Sequence, residues 1–177
     1  MRLRQRVSCI TYQRFHECEY EPSSPRHVAS AAHSGRRARG QIVKQELHVA
    51  DRALVQALEL RSRPVSCIKG GTLFKQGDAP CGLYILKSGE ANLMMASRSG
   101  KPVLCVHAEA GSLLGLPGVI ANEPYTMTAL VHAGSEVTFI TRGDFEDIVR
   151  TEPSLYPGVL HVLAAEVRAA RRAIAEF

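Results

Sequence analysis

The sequence predicts a mainly β protein: an antiparallel β-roll of the double-stranded β-helix or jelly-roll type, with a helix before it and a long helix after it. Two observations carry this fold class. Between residues 65 and 140 the chain consists of short segments rich in Val, Ile, Leu, Tyr and Phe, separated by glycine-containing turns, as in antiparallel sandwiches and rolls. On either side of this region, apolar residues recur every three or four positions, which is the period of a helix.

Six strands are predicted within the central region, each four or five residues long. They are VSCI, LYIL, ANLMM, VLCVH, MTALV and EVTFI. The turns between them place glycine where the backbone needs a positive φ. Gly77 and Asp78 predict a tight turn in which the aspartate accepts hydrogen bonds from nearby backbone. The residues expected on the inner face of the roll are Leu83, Ile85, Leu93, Val103 and Val106.

The first helix is predicted from about Gln45 to Leu60. Four apolar residues fall on one helical stripe: Leu47, Ala50, Leu54 and Leu58. Pro64 ends the helix, because the residue before a proline is displaced from helical geometry. After the roll, TRGDFEDIVRTEP predicts a short helix with Thr141 or Asp144 as its cap.

The last segment carries the most regular apolar pattern of the chain. Seven residues are spaced by four and three positions in turn: Tyr156, Leu160, Leu163, Val167, Ala170, Ile174 and Phe177. This spacing is that of a heptad seam, and Pro157 is compatible with it in the first helical turn. The pattern predicts a homodimer whose interface contains Leu160, Leu163, Val167, Ala170 and Ile174.

The positive charge of the chain is concentrated at the N-terminus. Residues 1–44 hold nine basic and three acidic residues, whereas residues 45–177 hold thirteen basic and fourteen acidic residues. Because residues 45–177 are nearly neutral, they lack the excess of basic residues expected of a nucleic-acid-binding surface. The segment EPSSPRHVASAAHSGRRARG is rich in Pro, Ser, Gly, Ala and Arg. Such a segment cannot bury enough apolar surface to fold. Residues 1–44 are therefore predicted to be a disordered basic leader or a misassigned start, with a nucleic-acid-binding arm as the alternative.

Several strings resemble the cyclic-nucleotide-binding-like sensor domain of the Crp/Fnr regulators. GGTLFKQGDAPCGLYILKSGEANL is similar to that family's signature, with Gly71, Gly77, Asp78, Tyr84 and Gly89 among the matching residues. AGSLLG resembles the entry to the family's phosphate cassette, and RGDFEDIVRTEP resembles the element before its dimer helix. The resemblance implies a sensor domain over residues 45–152 and a dimerisation helix over residues 153–177.

The cassette departs from the family's pattern at its two charged positions. The resemblance implies a Glu for the ribose and an Arg for the cyclic phosphate, but Leu116 and Tyr125 stand at those positions. The expected pocket is therefore a degenerate cassette formed by Gly115, Leu116, Tyr125, Thr126 and Thr128. A phosphate buried without a cation is unfavourable. We expect a regulatory domain without cyclic-nucleotide binding, which responds to another signal such as a small-molecule effector.

The resemblance also implies a helix-turn-helix after the dimer helix. The given sequence ends at Phe177, so no direct DNA binding by this chain is expected. One alternative is a true sensor of cyclic nucleotides or small anions that uses backbone N–H groups at 115–119 and the two threonines. Another is a redox-sensing relative, although Cys9 and Cys18 do not form the N-terminal cysteine cluster of such sensors.

Enzymatic activity and a metal cofactor are not expected. A cupin-type metalloenzyme is the alternative from a different class, but it needs clustered His and Glu ligands. His107, His132 and His161 are isolated in the sequence, and neither a Ser/His/Asp set nor a Gly-x-Ser-x-Gly elbow is present. No apolar run reaches the length of a membrane span, and no signal peptide is apparent. A cytoplasmic location, without cofactor or membrane partner, is the expectation.

Overall fold

The computed structural model describes residues 43–67 and 69–175, and these residues contain nine strands and four helices. The strands are β1 Val43–Glu46, β2 Arg63–Val65, β3 Gly71–Phe74, β4 Gly82–Ser88, β5 Ala91–Ala96, β6 Pro102–Ala108, β7 Leu113–Leu114, β8 Thr128–Val131 and β9 Glu136–Thr141. The helices are α1 Arg52–Glu59, α2 Leu116–Ala121, α3 Arg142–Thr151 and α4 Tyr156–Ala175. The predicted mainly β fold with flanking helices is confirmed.

The strands form two sheets. A five-stranded sheet has the order β1-β6-β5-β8-β3, and a four-stranded sheet has the order β2-β9-β4-β7. Adjacent strands are antiparallel, except that β1 runs parallel to β6. The segments predicted as strands overlap β2, β4, β5, β6, β8 and β9, whereas β1, β3 and β7 were not predicted. The arrangement is the expected roll, extended at one edge by a parallel strand.

Two separate apolar cores hold the layers together. One lies inside the roll, and the other lies between the four-stranded sheet and the helices. Strand β4 contributes to both, because successive side chains of a strand point to opposite faces. Tyr84 and Leu86 belong to the core inside the roll, while Leu83 and Ile85 belong to the helical core. The expectation that Leu83 and Ile85 face the inside of the roll was wrong.

The N-terminal helix is shorter than predicted. Residues Val43–Glu46 form a strand, and the helix begins only at Arg52. Asp51 caps it, since its Oδ1 accepts a hydrogen bond from the backbone N–H of Leu54 at 2.8 Å. The strand begins two residues before the domain boundary that the sequence suggested at residue 45. Most of the predicted leader, residues 1–42, lies outside the described residues.

The segment around β1 connects the edge of the roll to α4. The N–H of Leu47 donates to the carbonyl oxygen of His107 at 2.6 Å, which continues the pairing with β6. The side-chain amide of Gln45 donates to the backbone carbonyl of Ala169 on α4 at 2.7 Å. The rings of His48 and His161 stack with their centroids 5.1 Å apart. The N-terminal segment, through Gln45 in β1 and His48 after it, therefore contacts α4 at two places along the helix.

The helices after the roll follow the predicted order. Thr141 caps α3, because its hydroxyl oxygen accepts from the backbone N–H of Asp144 at 3.1 Å. A 3-10 turn, Pro153–Leu155, leads into α4. The buried residues of α4 are Val159, Val162 and Ala173. These three positions lie on one face, and that face covers the body of the domain.

Candidate functional site

The predicted cassette is a loop that contains a short helix of six residues. Gly115 has a φ of 90° and ends β7, after which α2 runs from Leu116 to Ala121. The loop then returns to the turn at Gly77, whose N–H donates to the carbonyl of Tyr125 at 2.8 Å. The N–H of Tyr125 donates in turn to the carbonyl of Asp78 at 3.0 Å. Backbone hydrogen bonds thus fix the position of Tyr125.

The Gly77–Asp78 turn has the predicted local structure. Gly77 has a φ of 92°, a conformation that side chains disfavour. The carboxylate of Asp78 accepts from the N–H of Lys75 at 2.9 Å, and the N–H of Asp78 donates to the carbonyl of Lys75 at 3.0 Å. These two hydrogen bonds close the turn beside the end of the cassette.

Tyr125 fills the interior of the roll beside the cassette. Its side chain is 3% exposed, and its ring stacks on Phe74 with the centroids 4.1 Å apart. Its hydroxyl donates to the carbonyl of Gly82. Burial raises the pKa of Tyr125 above its usual value. The side chain is a neutral, fully packed part of the core.

Gly115 is required by this packing as well as by its backbone angle. A Cβ atom at this position would lie 2.8 Å from Cε1 of Tyr125, which is closer than van der Waals contact allows. The ring of Tyr125 therefore packs directly against the backbone of Gly115. No space for a buried ligand group remains between these two residues.

Leu116 does not share a pocket with Tyr125. It is fully buried in the helical core, together with Val119 and Phe145, whereas Tyr125 belongs to the core inside the roll. The sequence suggested that both residues would face one ligand. The structure separates them, because α2 directs its first residue toward the helices.

The two threonines of the cassette have different surroundings. Thr128 is partly buried, and its hydroxyl oxygen accepts from the backbone N–H of Gln76 at 3.0 Å. Thr126 is exposed and lines a separate cavity, of which Tyr125 is not a part. Neither carries charge. Pro117 in the first turn of α2 has no N–H to offer an anion.

The cavity that Thr126 lines, which we call the α4 cavity, lies between α4 and the edge of the five-stranded sheet. Its volume is about 910 Å³. Its walls come from β1, from the neighbouring strands and from α4, and include Leu104, Val106, Met127, Ala165, Glu166 and Ala169. Sequence reasoning missed this cavity, because its walls come from segments that lie far apart in the chain.

Glu166 is the unusual residue of the α4 cavity. Its side chain is partly buried and makes no hydrogen bond or ion pair with any residue in the described part of the chain. Desolvation by burial raises the pKa of Glu166 to about 7. In the sequence, Glu166 lies between the seam residues Leu163 and Val167, and no local pattern distinguishes it from the other charged residues of this segment.

The predicted dimer residues divide into two groups. Leu160, Val167 and Ile174 are 62%, 50% and 71% exposed, and Ala170 is also exposed. Leu163, in contrast, is partly buried and packs against the helical core of its own chain. Phe177, the last residue of the predicted seam, lies outside the described residues. The apolar stripe is therefore open to solvent along most of its length.

Within residues 43–67 and 69–175, no group of three or more His, Cys, Asp or Glu side chains is arranged to hold a metal ion. Cys67 and Cys105 are buried and Cys81 is exposed, while Cys9 and Cys18 lie outside the described part. None of the described helices is long and apolar enough to cross a membrane.

The chain belongs to the cyclic nucleotide-binding domain family. The model of that family matches residues 64–152, which is half of the chain. The match includes the Gly77–Asp78 turn, the cassette and α3. The resemblance to the sensor domains of Crp/Fnr regulators is confirmed at the level of family and fold.

Solved structures share the fold at low sequence identity. The catabolite activator protein of Thermus thermophilus superposes with a TM-score of 0.57 and 24% identity, over 71% of this chain and 58% of that chain. Oxidized CprK in complex with o-chlorophenolacetic acid superposes with a TM-score of 0.60 and 16% identity, over 76% of this chain and 55% of that chain. Identities this low show the fold alone.

A curated relative is a much longer protein. Patatin-like phospholipase domain-containing protein 6 of Mus musculus is 23% identical over 167 residues. The match covers 94% of this chain but only 11% of the mouse protein. This chain is thus similar to a small part of a protein whose name refers to a different domain.

Proposed function

We propose that this chain is a non-enzymatic regulatory sensor domain whose cassette does not bind cyclic nucleotides. The single observation that carries the proposal is the position of Tyr125. Its ring is stacked on Phe74 and its hydroxyl is bonded to Gly82 inside the roll. In family members that bind cyclic nucleotides, an Arg at this cassette position meets the phosphate, so the tyrosine removes the charge and fills the space.

The remaining donors are too weak to replace the missing charges. Thr126 and Thr128 are neutral, and Leu116 faces the helical core instead of a ribose. A charge-assisted hydrogen bond contributes roughly 1.5–3 kcal/mol, so the loss of two such contacts lowers the affinity by about two to four decades. Cyclic AMP and cyclic GMP are therefore expected to bind no better than at millimolar concentrations.

The test is a calorimetric titration of the full chain with cyclic AMP and cyclic GMP, on protein freed of co-purified ligand. Absence of binding below about millimolar concentration supports the proposal. Micromolar binding would overturn it in favour of the alternative, a cyclic-nucleotide or small-anion sensor that uses backbone and threonine donors. Thr128→Val, which keeps the side chain's shape and removes the hydroxyl, would then show whether the threonine contributes.

We also propose that the domain forms a homodimer through α4. The support is the exposed stripe of Leu160, Val167 and Ile174, which its own domain does not cover. Apolar side chains at heptad spacing on one exposed helix face are typical of paired helices. A dimer would place two sensor domains side by side, as suits a regulator that transmits a signal between subunits. The cytoplasmic location also stays a prediction.

A small-molecule effector other than a cyclic nucleotide fits this proposal. The α4 cavity provides the space, and α4 itself is the element that would carry a change at the cavity to the dimer. The structure of oxidized CprK contains o-chlorophenolacetic acid, which is a small aromatic ligand and not a nucleotide. By analogy, we propose that this chain responds to a non-nucleotide molecule bound beneath α4.

A further inference from the structure

The α4 cavity combines an apolar lining with one desolvated carboxyl group. Leu104 and Val106 of β6 and Met127 lie on the sheet side, and Ala165 and Ala169 lie on the helix side. Glu166 projects from the same helix into the lining. Apolar walls stabilise the apolar part of a ligand, but they leave an ionised carboxylate without the hydration it has in water.

The other ionisable groups of the cavity have different surroundings. Lys44, Glu46 and Arg172 are exposed at its rim, where water screens their charges. His48 is stacked on His161, and Nδ1 of His107 lies 3.3 Å from Oδ1 of Asn92. The rim therefore carries two cations and one anion in solvent. Glu166 is the carboxyl whose ionisation is penalised by burial, and it has no partner among the described residues.

This arrangement discriminates between ligands by their charge. An anion placed against Glu166 adds repulsion to an already unfavourable carboxylate. A neutral apolar molecule leaves the carboxyl unpaired. A protonated amine supplies both a counter-charge and a hydrogen-bond donor, and the apolar remainder of the molecule can contact the walls. The favoured occupant is a molecule with both features.

We propose that the α4 cavity binds a small, mainly apolar molecule that carries an amine, with Glu166 as its counter-ion. This inference rests on the proposed function, because it names the class of effector for the cavity beneath α4. Binding couples to the protonation of Glu166, since the amine requires the carboxylate form. The affinity for an amine should thus rise with pH through the range near 7 in which Glu166 titrates.

The experiment compares three probes of the same shape: 4-phenylbutylamine, 4-phenylbutanol and 4-phenylbutyrate. Binding to the full chain is measured by ligand-detected NMR titration at about pH 8 and about pH 5.5, at one protein concentration. At the higher pH the amine is expected to bind at least about tenfold more tightly than the alcohol. The butyrate should bind most weakly. The preference for the amine should shrink at the lower pH.

Two variants locate the effect. Glu166→Gln keeps the size of the side chain and removes the charge, and it should abolish the preference for the amine over the alcohol. Glu46→Gln removes a carboxylate at the rim of the same cavity and should preserve it. The comparison at two pH values on the unaltered chain gives the same information if Glu166→Gln fails to fold.

Four results would overturn the inference: equal binding of amine and alcohol, preference for the butyrate, no binding of any probe, or an equal loss in the two variants. Cyclic AMP and cyclic GMP are titrated in the same assay. Tight binding of a cyclic nucleotide would overturn the proposed function, irrespective of whether the amine binds. Failure of the amine without cyclic-nucleotide binding overturns only this inference.

Discussion

At the scale of single residues, the cassette loop places the side chain of Tyr125 in the core of the roll. Tyr125 could be identified from the sequence as a missing charge, since an aromatic residue stands where the family's pattern has an Arg. Its stacking on Phe74 and its bond to Gly82 could not be predicted, because both partners lie more than forty positions away in the chain. The loss of charge was thus predictable, and the filling of the space was not.

Leu116 illustrates a limit of reading a site from a motif. Its position in the cassette suggested that it faces a ligand, but it is fully buried among the helices. A Glu at this position would place an unpaired charge in an apolar core, which is strongly unfavourable. We therefore expect Leu116→Glu to destabilise the folded chain.

Glu166 gives a prediction about stability and pH. Its pKa is about 7 in the folded chain against an ordinary value of 4.5. Below pH 4.5 the carboxyl is protonated in both states and makes no difference. Between these two values the folded state holds a proton that the unfolded state has released, so the free energy of unfolding falls as pH rises. The full loss, present above pH 7, is up to about 3 kcal/mol.

Glu166→Gln removes this ionisation. The variant should be more stable than the unaltered chain at about pH 8, by up to about 3 kcal/mol, and similar to it near pH 4.5. Urea unfolding at several pH values and one protein concentration measures the difference. Glu46→Gln, at an exposed site of the same cavity, serves as the control and should leave the pH profile unchanged. A pH-independent difference for Glu166→Gln would contradict the assigned role of burial.

At the scale of secondary-structure elements, local patterns predicted the helices after the roll and misread the segment before it. The caps and heptad spacing that define α3 and α4 lie within the helices themselves. The apolar residues Leu47, Ala50, Leu54 and Leu58 are also spaced like a helix, but only Leu54 and Leu58 lie on one. β1 exists because it pairs with β6 about sixty residues later, and this long-range contact leaves no local signal.

The two faces of α4 also show what periodicity can and cannot resolve. The spacing identified one apolar stripe, whereas the helix has two. Val159, Val162 and Ala173 cover the domain, and Leu160, Val167 and Ile174 remain exposed. Since each residue turns the helix by 100°, these two sets lie about a third of a turn apart. Leu163 lies between them, which explains why it contacts its own core.

The exposed stripe of α4 leads to a prediction about assembly. Leu160→Glu and Val167→Glu should each convert a dimer into a monomer, because either places a carboxylate in the centre of the paired stripe. Analytical ultracentrifugation at several concentrations measures the assembly state, and circular dichroism checks that the β structure is intact. Both side chains are at least half exposed, so neither change disturbs the core of the monomer.

Arg168→Glu is the matched control for these two variants. It introduces the same carboxylate next to Val167, on an exposed part of the helix away from the stripe, and it should leave the dimer intact. A monomeric unaltered chain at micromolar concentration would contradict the dimer. Dissociation by Arg168→Glu as well would point to a general effect of charge instead of the stripe.

At the scale of the whole molecule, the roll and the helices form two layers that share β4, and the N-terminal segment joins them at the edge. β1 extends the five-stranded sheet, Gln45 bonds to α4 and His48 stacks on α4. The α4 cavity is closed on one side by this same segment. A segment that the sequence assigned partly to the leader and partly to a helix is therefore the connection between the sheet and α4.

This connection predicts different effects for two truncations. A chain that begins at Val43, after an initiator Met, should melt within a few degrees of the full chain, as the composition of residues 1–42 suggests. A chain that begins at Leu47 loses β1 and the bond from Gln45 to Ala169, and it exposes the edge of β6. With roughly 1 kcal/mol for each lost hydrogen bond, its melting temperature should fall by about 5–15 °C.

Differential scanning calorimetry of the two shortened chains, at equal concentration, measures both effects. Gln45→Ala in the chain that begins at Val43 separates the contact with α4 from the strand pairing, and it should account for only a minor part of the loss. Equal melting temperatures for the two truncations would mean that β1 does not stabilise the fold. A large loss on removing only residues 1–42 would instead mean that this segment contributes to the folded domain, because Val43, Gln45 and their partners are retained in that chain.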